Sequence, residues 1–584
     1  MVSRKGRMEA LLKRPCIVTP VTDQDRTTWP AVRHLQRYHS GLETFTILPE
    51  NQHNASLPHP YHIVGWRAPV EGQDDRIRSV TLQDESGARI EGRAFIKTVH
   101  LLDPVGVLHE EYSAPVHPLL PQSRSSWKKT LLKLHSQNNQ ACVDAVASYV
   151  IGLFRHAGLT PHGVLSYGSM TGIADTYSYC ITDEYESYRN CRWFWNGLKT
   201  NEASLRVEKD KVDILTDPAY AALVKEQFTC PPSDEDEVLA APESTPIGDD
   251  QGSLHSFEFD EEEEAAAAVV ADAADAADAA DAAIAAIAID REDDSATTTT
   301  TTEDDESSIS SESTQLDIHV TLNKMPVLLI CQEAHEGTMD DLMEEEDGRD
   351  TPEWAQKWKA WTFQVIVQLA FLQKQISFTH NDLHTNNIVW RTTKDTYLYY
   401  KTADGAVYRV PTFGRIFSLI DFGRSIFKVN GELFISDDHW PEHDAGDQYN
   451  FGPFYDSTRP KIGPNMSFDL CRLAISMLEG LFLERPDRKK GSTTILSQEG
   501  DWKVYETVSP LYNLLWSWTL DDDGQTVYED EEGEEKFPGF DMYIQIAHHV
   551  HDAVPKDQIR KPLFEEYRVK KGVPTDVTPY SLGC

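Results

Sequence analysis

The sequence predicts an α+β fold with a small β-rich part, a larger helical part, and a long acidic insert that interrupts the first. Three observations lead there. Short apolar or alternating runs bounded by turn residues crowd the stretch 41–100 and return at 318–333, as strands do. From residue 353 onward helical periodicity dominates, opening with Trp354, Trp358, Trp361, Val365, Leu369 and Leu372. Between these lies 231–316, where the composition changes abruptly. At 584 residues the chain is too long for one simple core, so more than one unit is expected.

Charge locates the break and bounds the partners. Residues 231–314 hold 26 acidic side chains and one basic one, Arg291, so −25 of the net −41 sits there. The remainder is only moderately acidic. A surface of this sign repels phosphate backbones, so no nucleic acid partner is expected, while basic protein partners stay open. The insert combines an Ala-Ala-Asp repeat with acidic and threonine runs, a composition that favours disorder. Its aspartates would fall all around a helix. That leaves no apolar face and rules out a membrane span, so an acidic linker without chemistry is expected at 231–316. The eight cysteines are scattered and form no C-x-x-C, which argues against a zinc or redox site. Met1 to Gly6 lack the apolar core of a signal peptide. The expectation is an intracellular, cytoplasmic protein with no membrane partner; its oligomeric state is not encoded in any recognisable pattern.

In chain order, residues 1–40 are of mixed charge with little periodicity and predict an extension. The β-rich part begins at 41 and runs to 230. Thr44–Leu48 and Tyr61–Val64 are β-like. Ile77–Leu82 and Arg93–Val99, joined through Asp84-Glu85-Ser86-Gly87, predict a hairpin. Within the second strand, Ala94-Phe95-Ile96-Lys97 places a lysine after a buried run; Lys97 is either a phosphate-facing cation or a solvent-facing strand residue. Residues 126–157 predict one helix, ended by Gly158 and Pro161. Its acid, Asp144, is either a partner for Lys97 or an exposed helix residue. Leu165–Gly168 and Tyr177–Cys180 predict further strands or connections.

Order resumes at 317–336 with Ile318–Leu322 and the apolar run Pro326–Glu333, then Ala334-His335-Glu336-Gly337. A strand, an acid, a short glycine-containing link and a helix start form a connector that includes Glu333 and His335; an ordinary strand-to-helix loop has the same form. The helical part, 337–570, opens with the helix over 353–376. That helix delivers the chain to Phe378–Trp390, a polar loop holding His380, Asp382 and Asn387. Tyr397–Tyr400 and Val407–Val410 flank Asp404-Gly405 as a hairpin, and the strand Phe417–Ile420 ends in Asp421-Phe422-Gly423. Ser467–Ala474 starts an apolar helix with Asp469 near its beginning, where the helix dipole favours an acid. Gly446–Phe454 lies between. Helical stretches near 506–519 and 541–552 follow, and 571–584 is read as a tail.

An H-x-D-L-x-x-x-N loop followed by a hydrophobic strand ending in D-F-G resembles the catalytic pair of the protein kinase superfamily. With Thr160-Pro161-His162, Tyr167-Gly168, Glu336-Gly337-Thr338, Val410 to Gly414 and Ser467 to Leu473, the chain resembles the divergent protein-kinase-like proteins of large eukaryotic DNA viruses. The resemblance spans most of 90–570 outside the insert. It implies a bilobal protein-kinase-like fold, with a small β-rich N-lobe, a larger helical C-lobe and a long disordered acidic insert. It also implies ATP and Mg²⁺ as cofactors and transfer to serine or threonine of a protein substrate in a host-cell cytoplasm or virion. Asp382 would be the catalytic base and Lys97 the phosphate-binding lysine, paired with Asp144. Asn387 and Asp421 would be the metal ligands, the backbone N–H and C=O groups of the connector at Glu333 and His335 would meet the adenine edge, and Asp469 would orient the loop backbone. The sequence departs from the family in having no G-x-G-x-x-G around Gly65 and Gly72, no glutamate in the 126–157 helix and no A-P-E. A scaffold module of the same fold, or a small-molecule phosphotransferase such as also carries D-L-H at Asp382 to His384, is the alternative reading. Asn381 replaces the arginine that reads a phosphorylated loop, so activity without loop phosphorylation is expected.

Overall fold

Alternation is plainest in the long strand β7 (Asp317–Glu333), where Ile318, Val320 and Leu322 are buried and their neighbours are not. From Met325 to Gln332 every residue is buried, as in a strand covered on both faces. The computed structural model describes residues 11–13, 16–42, 44–45, 55–67, 74, 76–112, 128–182, 184–209, 212–216, 228–230, 316–344, 349, 351–441, 443, 445–499, 502–570, 572, 574 and 577–584. The chain divides into two units, Met1–Cys230 with Leu316–Cys584, and Pro231–Gln315. The acidic insert, Thr46 to Leu48 and Gly72 lie outside the described residues.

The first unit is a mixed α/β structure with a curled antiparallel sheet and helices. Among the described residues the sheet has eight strands. Its main path runs β1 (Val32–Gln36), β5 (Ser166–Cys180), β7, β4 (Arg89–His100), β3 (Ile77–Asp84), β2 (Tyr61–Trp66). The strand β6 (Ser204–Lys209) shares an edge of β7 with β4: Asp317–Thr321 pair with β6, and Val327–Glu333 pair with β4. Pro326 stands where the two partners change, after Lys324 at φ 56°. It has no N–H to donate, and its carbonyl accepts from Leu101 N at 2.9 Å.

Four expectations are corrected. The extension predicted at 1–40 contributes β1 to the sheet, with Tyr38, His39, Ser40 and Leu42 buried behind it. Thr44 and Phe45 form a turn, not a strand. The helix predicted over 126–157 is two, α1 (Lys128–His135) and α2 (Gln140–His156). Asn139 breaks it by capping: its side chain accepts from Ala141 N and donates to Leu101 O at 2.8 Å, tying the break to the end of β4. The tail is anchored, because Tyr580–Ser581 pairs in parallel with β8 (Tyr397–Lys401) and Leu582 is buried.

α2 is buried almost all round, from Ala141 to Phe154, and packs on the sheet. Gly152 permits the approach, since a Cβ there would stand 2.8 Å from Val164 O. α3 (Pro352–Ile376) is the longest helix described. Thr351 caps it by accepting from Trp354 N, Pro352 starts it, and Ser377 in the left-handed region ends it. Its aromatics are core: Trp361 packs on Phe417, and Phe363 on Tyr408 and Phe564. Among the described residues no helix is long and apolar enough to cross a membrane.

His162 fastens the loop after α2 to two later strands. Its Nδ1 lies 2.7 Å from Phe417 O and its Nε2 2.8 Å from Tyr400 Oη. A carbonyl only accepts, so Nδ1 carries the proton and Nε2 takes the tyrosine hydrogen, a pairing that requires the neutral ring. Burial pushes its pKa from 6.5 down to about 3. The unfolded chain therefore takes up this proton before the folded one. The contribution is complete above pH 6.5 and is lost as pH falls toward 3. Between pH 7.5 and 5.5 this one ring should cost about 1.4 kcal/mol. Denaturant melts at the two pH values should show a loss that is smaller by that amount in His162→Gln; an equal loss in both proteins would refute the assignment.

Candidate active site

β4 alternates so that Ala94 and Ile96 enter the core while Lys97 turns to the other face. The Lys97 ammonium donates to Asp144 Oδ2 and to Asp421 Oδ1, each at 2.6 Å. Burial works against its charge, but the two carboxylates outweigh burial and raise the lysine pKa. Asp421 feels the reverse: burial pushes it up, and Lys97 brings it to a net value below the ordinary carboxylate range. Asp144 is completely buried and not an exposed helix acid. Its other oxygen accepts from Phe422 N at 3.2 Å and from Ser148 Oγ, which itself accepts from Gln332 Nε2 at 2.7 Å. One aspartate thus ties the sheet lysine, α2 and the turn after Asp421 together. Aspartate is a methylene shorter than glutamate; the close packing of α2 on the sheet brings it within reach.

Asp421 is at φ 63° and Asn381 at φ 64°, a conformation that costs a residue with a Cβ and persists only where surroundings impose it. At Asn381 the imposing group is Asp469. On α4 (Phe468–Leu481), fully buried, its carboxylate accepts from His380 N and Asn381 N at 3.0 Å. Burial raises its pKa against the pull of His380. Asn381 is held further by Tyr449 Oη, donating to its Oδ1 at 2.8 Å, and by its own donation to Arg424 O. His380 Nε2 reaches Ile420 O at 2.8 Å, and Ile420 N donates to Asn387 O at 3.0 Å, so the loop and the Asp421 strand are laced together.

Asn387 spends its amide protons inside the loop, on Asp382 O at 2.9 Å and on His384 Nε2 at 3.0 Å. Its Oδ1 is the atom left to act as a ligand. Receiving that proton, His384 Nε2 must be unprotonated, in line with a pKa that burial lowers. Asp382 Oδ1 accepts from Tyr543 Oη at 2.8 Å. Lys97, Asp144 and Asp421 are therefore joined directly, as are Asp382 and Asn387. Among the described residues no group of three or more His, Cys, Asp or Glu side chains could hold a metal on its own. Asp421 and Asn387 still offer the hard oxygen donors that suit Mg²⁺, which commonly binds one or two carboxylates and completes its shell with water and phosphate.

No protein-family model matches the chain, and no curated protein matches it.

Glu333 and His335 are not brought into this cluster. The Glu333 carboxylate is taken by Arg155, one contact being Nη2 to Oε1 at 3.1 Å and the other Nη1 to Oε2. Burial would raise its pKa, but the guanidinium leaves it lowered. Its backbone N donates to Leu165 O, and its carbonyl is met by His335 Nδ1. His335 is itself held neutral, its pKa pushed down to about 4 by burial.

Sequence reasoning missed Tyr543 and two ties across the site. Lys133 pairs with Asp437 at 2.6 Å, and Gln140 N at the start of α2 donates to the same carboxylate. Arg424 pairs with the adjacent Asp438 at 3.2 Å. Neighbouring acids at 437–438 thus fasten α2 to the stretch after Gly423. A lone charged residue in a loop carries no signal of its partner, whether that lies 14 positions away, as Asp438 does from Arg424, or 304, as Asp437 does from Lys133.

Proposed function

We propose that this chain is a bilobal, ATP- and Mg²⁺-dependent protein kinase acting on serine or threonine hydroxyls, of the viral kinase-like kind that its motifs resemble. The observation that carries the proposal is the Lys97 ammonium 2.6 Å from both Asp144 and Asp421, with Asp421 laced to the Asp382–Asn387 loop. A packing role needs none of this. A structural ion pair would be satisfied by one carboxylate, yet here two converge on one lysine beside a strained, fully braced polar loop.

Mg²⁺, held by Asp421 and Asn387 Oδ1, would supply charge to offset the phosphates. The chain's own residues do the rest. Lys97, with its charge secured by Asp144, can bind the α- and β-phosphates of ATP. Asp382 accepts the proton of the acceptor hydroxyl as the acceptor oxygen bonds to the γ-phosphorus. The bond from that phosphorus to the β-bridging oxygen breaks, and ADP leaves. Asp469 keeps the loop backbone from relaxing while this happens. Asn381, already engaged by Tyr449, supports activity without a phosphorylated loop.

The test follows labelled γ-phosphate from ATP with Mg²⁺ to mixed protein acceptors, beside a thermal-shift titration of the same protein with Mg²⁺-ATP. Label on protein serine or threonine supports the proposal. A thermal shift without label would make the chain a nucleotide-binding scaffold, and label on a small molecule alone would make it a metabolite phosphotransferase.

A further inference from the structure

The Asp382 carboxylate does not hang freely from its loop. It is held by a tyrosine from α5 (Asp541–His549), 161 positions away, and the hydrogen bond between them has an enforced direction. The Tyr543 hydroxyl has one proton and two lone pairs. Arg472 Nε donates to that oxygen at 3.1 Å, and its guanidinium lies over the tyrosine ring at 5.5 Å. An arginine cannot accept, so the single hydroxyl proton goes to Asp382 Oδ1. The ring is fixed as well, stacked on Phe540 at 5.1 Å and packed against Phe468 at 5.8 Å. Arg472 stands one helical turn after Asp469 on α4. The helix that grips the loop backbone through Asp469 therefore also grips its key side chain, through Arg472 and Tyr543.

We propose that Tyr543, anchored by Arg472, is a positioning residue for Asp382: it holds Oδ1, so that the acceptor's proton goes to Oδ2. The inference rests on the kinase reading for the meaning of that proton, but the orientation of Asp382 can be observed independently. A free aspartate samples several rotamers, and only those that turn an oxygen to the acceptor are productive.

Tyr543→Phe keeps the ring contacts and removes one hydroxyl, so the full-length variant should melt within about 2 °C of wild type. Crystal structures of the two proteins should show one Asp382 rotamer in wild type and a rotated or split one in the variant. Transfer from Mg²⁺-ATP should fall about tenfold in kcat at an unchanged KM for ATP, since a loss of orientation spares nucleotide binding. An unmoved rotamer, or an unchanged kcat, overturns the proposal. So does phosphate found on Tyr543 in wild-type protein, which would make it an acceptor. If wild type shows no Asp382-dependent transfer, the kinase reading fails, and the rotamer comparison alone decides the positioning role.

Discussion

Asp382→Asn is expected to lower phosphoryl transfer by about a thousandfold, the middle of the range for loss of a positioned general base. The replacement is nearly isosteric. Its amide oxygen can still accept from Tyr543 Oη, now 2.8 Å from the carboxylate, so the fold and the loop should persist. What disappears is the basic lone pair that takes the acceptor's proton. Steady-state assays with Mg²⁺-ATP and a responsive protein acceptor would measure the loss, and a thermal-shift titration would report nucleotide binding in the same variant. The proposed mechanism requires the rate to collapse while the nucleotide-induced shift survives. A variant that transfers phosphate at more than a tenth of the wild-type rate would show that Asp382 is not the base.

Asp469→Ala should damage both stability and the site. The carboxylate is fully buried and accepts from two backbone N–H groups, His380 N and Asn381 N. Truncation leaves both donors without a partner in a dry interior and opens a small void, a combined cost of about 3 kcal/mol. Asn381 would also lose one of the groups that impose its left-handed backbone, φ 64°. The loop should then relax, and transfer should fall by more than about a hundredfold even at temperatures where the variant is folded. Asp469→Asn retains one acceptor oxygen and should lose less on both counts. Denaturant unfolding would give the stability difference, and hydrogen exchange at His380 and Asn381 would report the loop. Wild-type protection at those two amides in the alanine variant would refute the role.

Much of the site was legible because its pieces are local. Asp382 and Asn387 are five positions apart in one loop, and Asp421 ends a short apolar strand; both motifs survive in a sequence that matches no family model. Lys97 could be picked out because it directly follows the apolar strand run Ala94-Phe95-Ile96. Asp469 was found through its place near a helix start. Glu333 could be placed only in part: a strand ending in an acid is a local pattern, but what its carboxylate meets is not. Arg155, at the far end of α2, lies 178 positions from Glu333 and claims it. Asn139 was overlooked as a helix break because its side chain acts on β4 as well as on its own helix.

By itself the sequence determined much of the strand and helix pattern, the position of the acidic break and the identity of the polar loop. Those follow from side-chain periodicity, propensity and charge, which act over a few residues. Only the tertiary structure decided which charges meet. It turned Asp144 from an open choice into the buried partner of Lys97, paired Glu333 with Arg155, drew residues 32–36 and 580–581 into sheets, and set Tyr543 against Asp382. A carboxylate or hydroxyl takes whichever donor or acceptor the packed core brings within about 3 Å. That choice belongs to the packing of elements far apart in the chain and leaves no periodic trace along it.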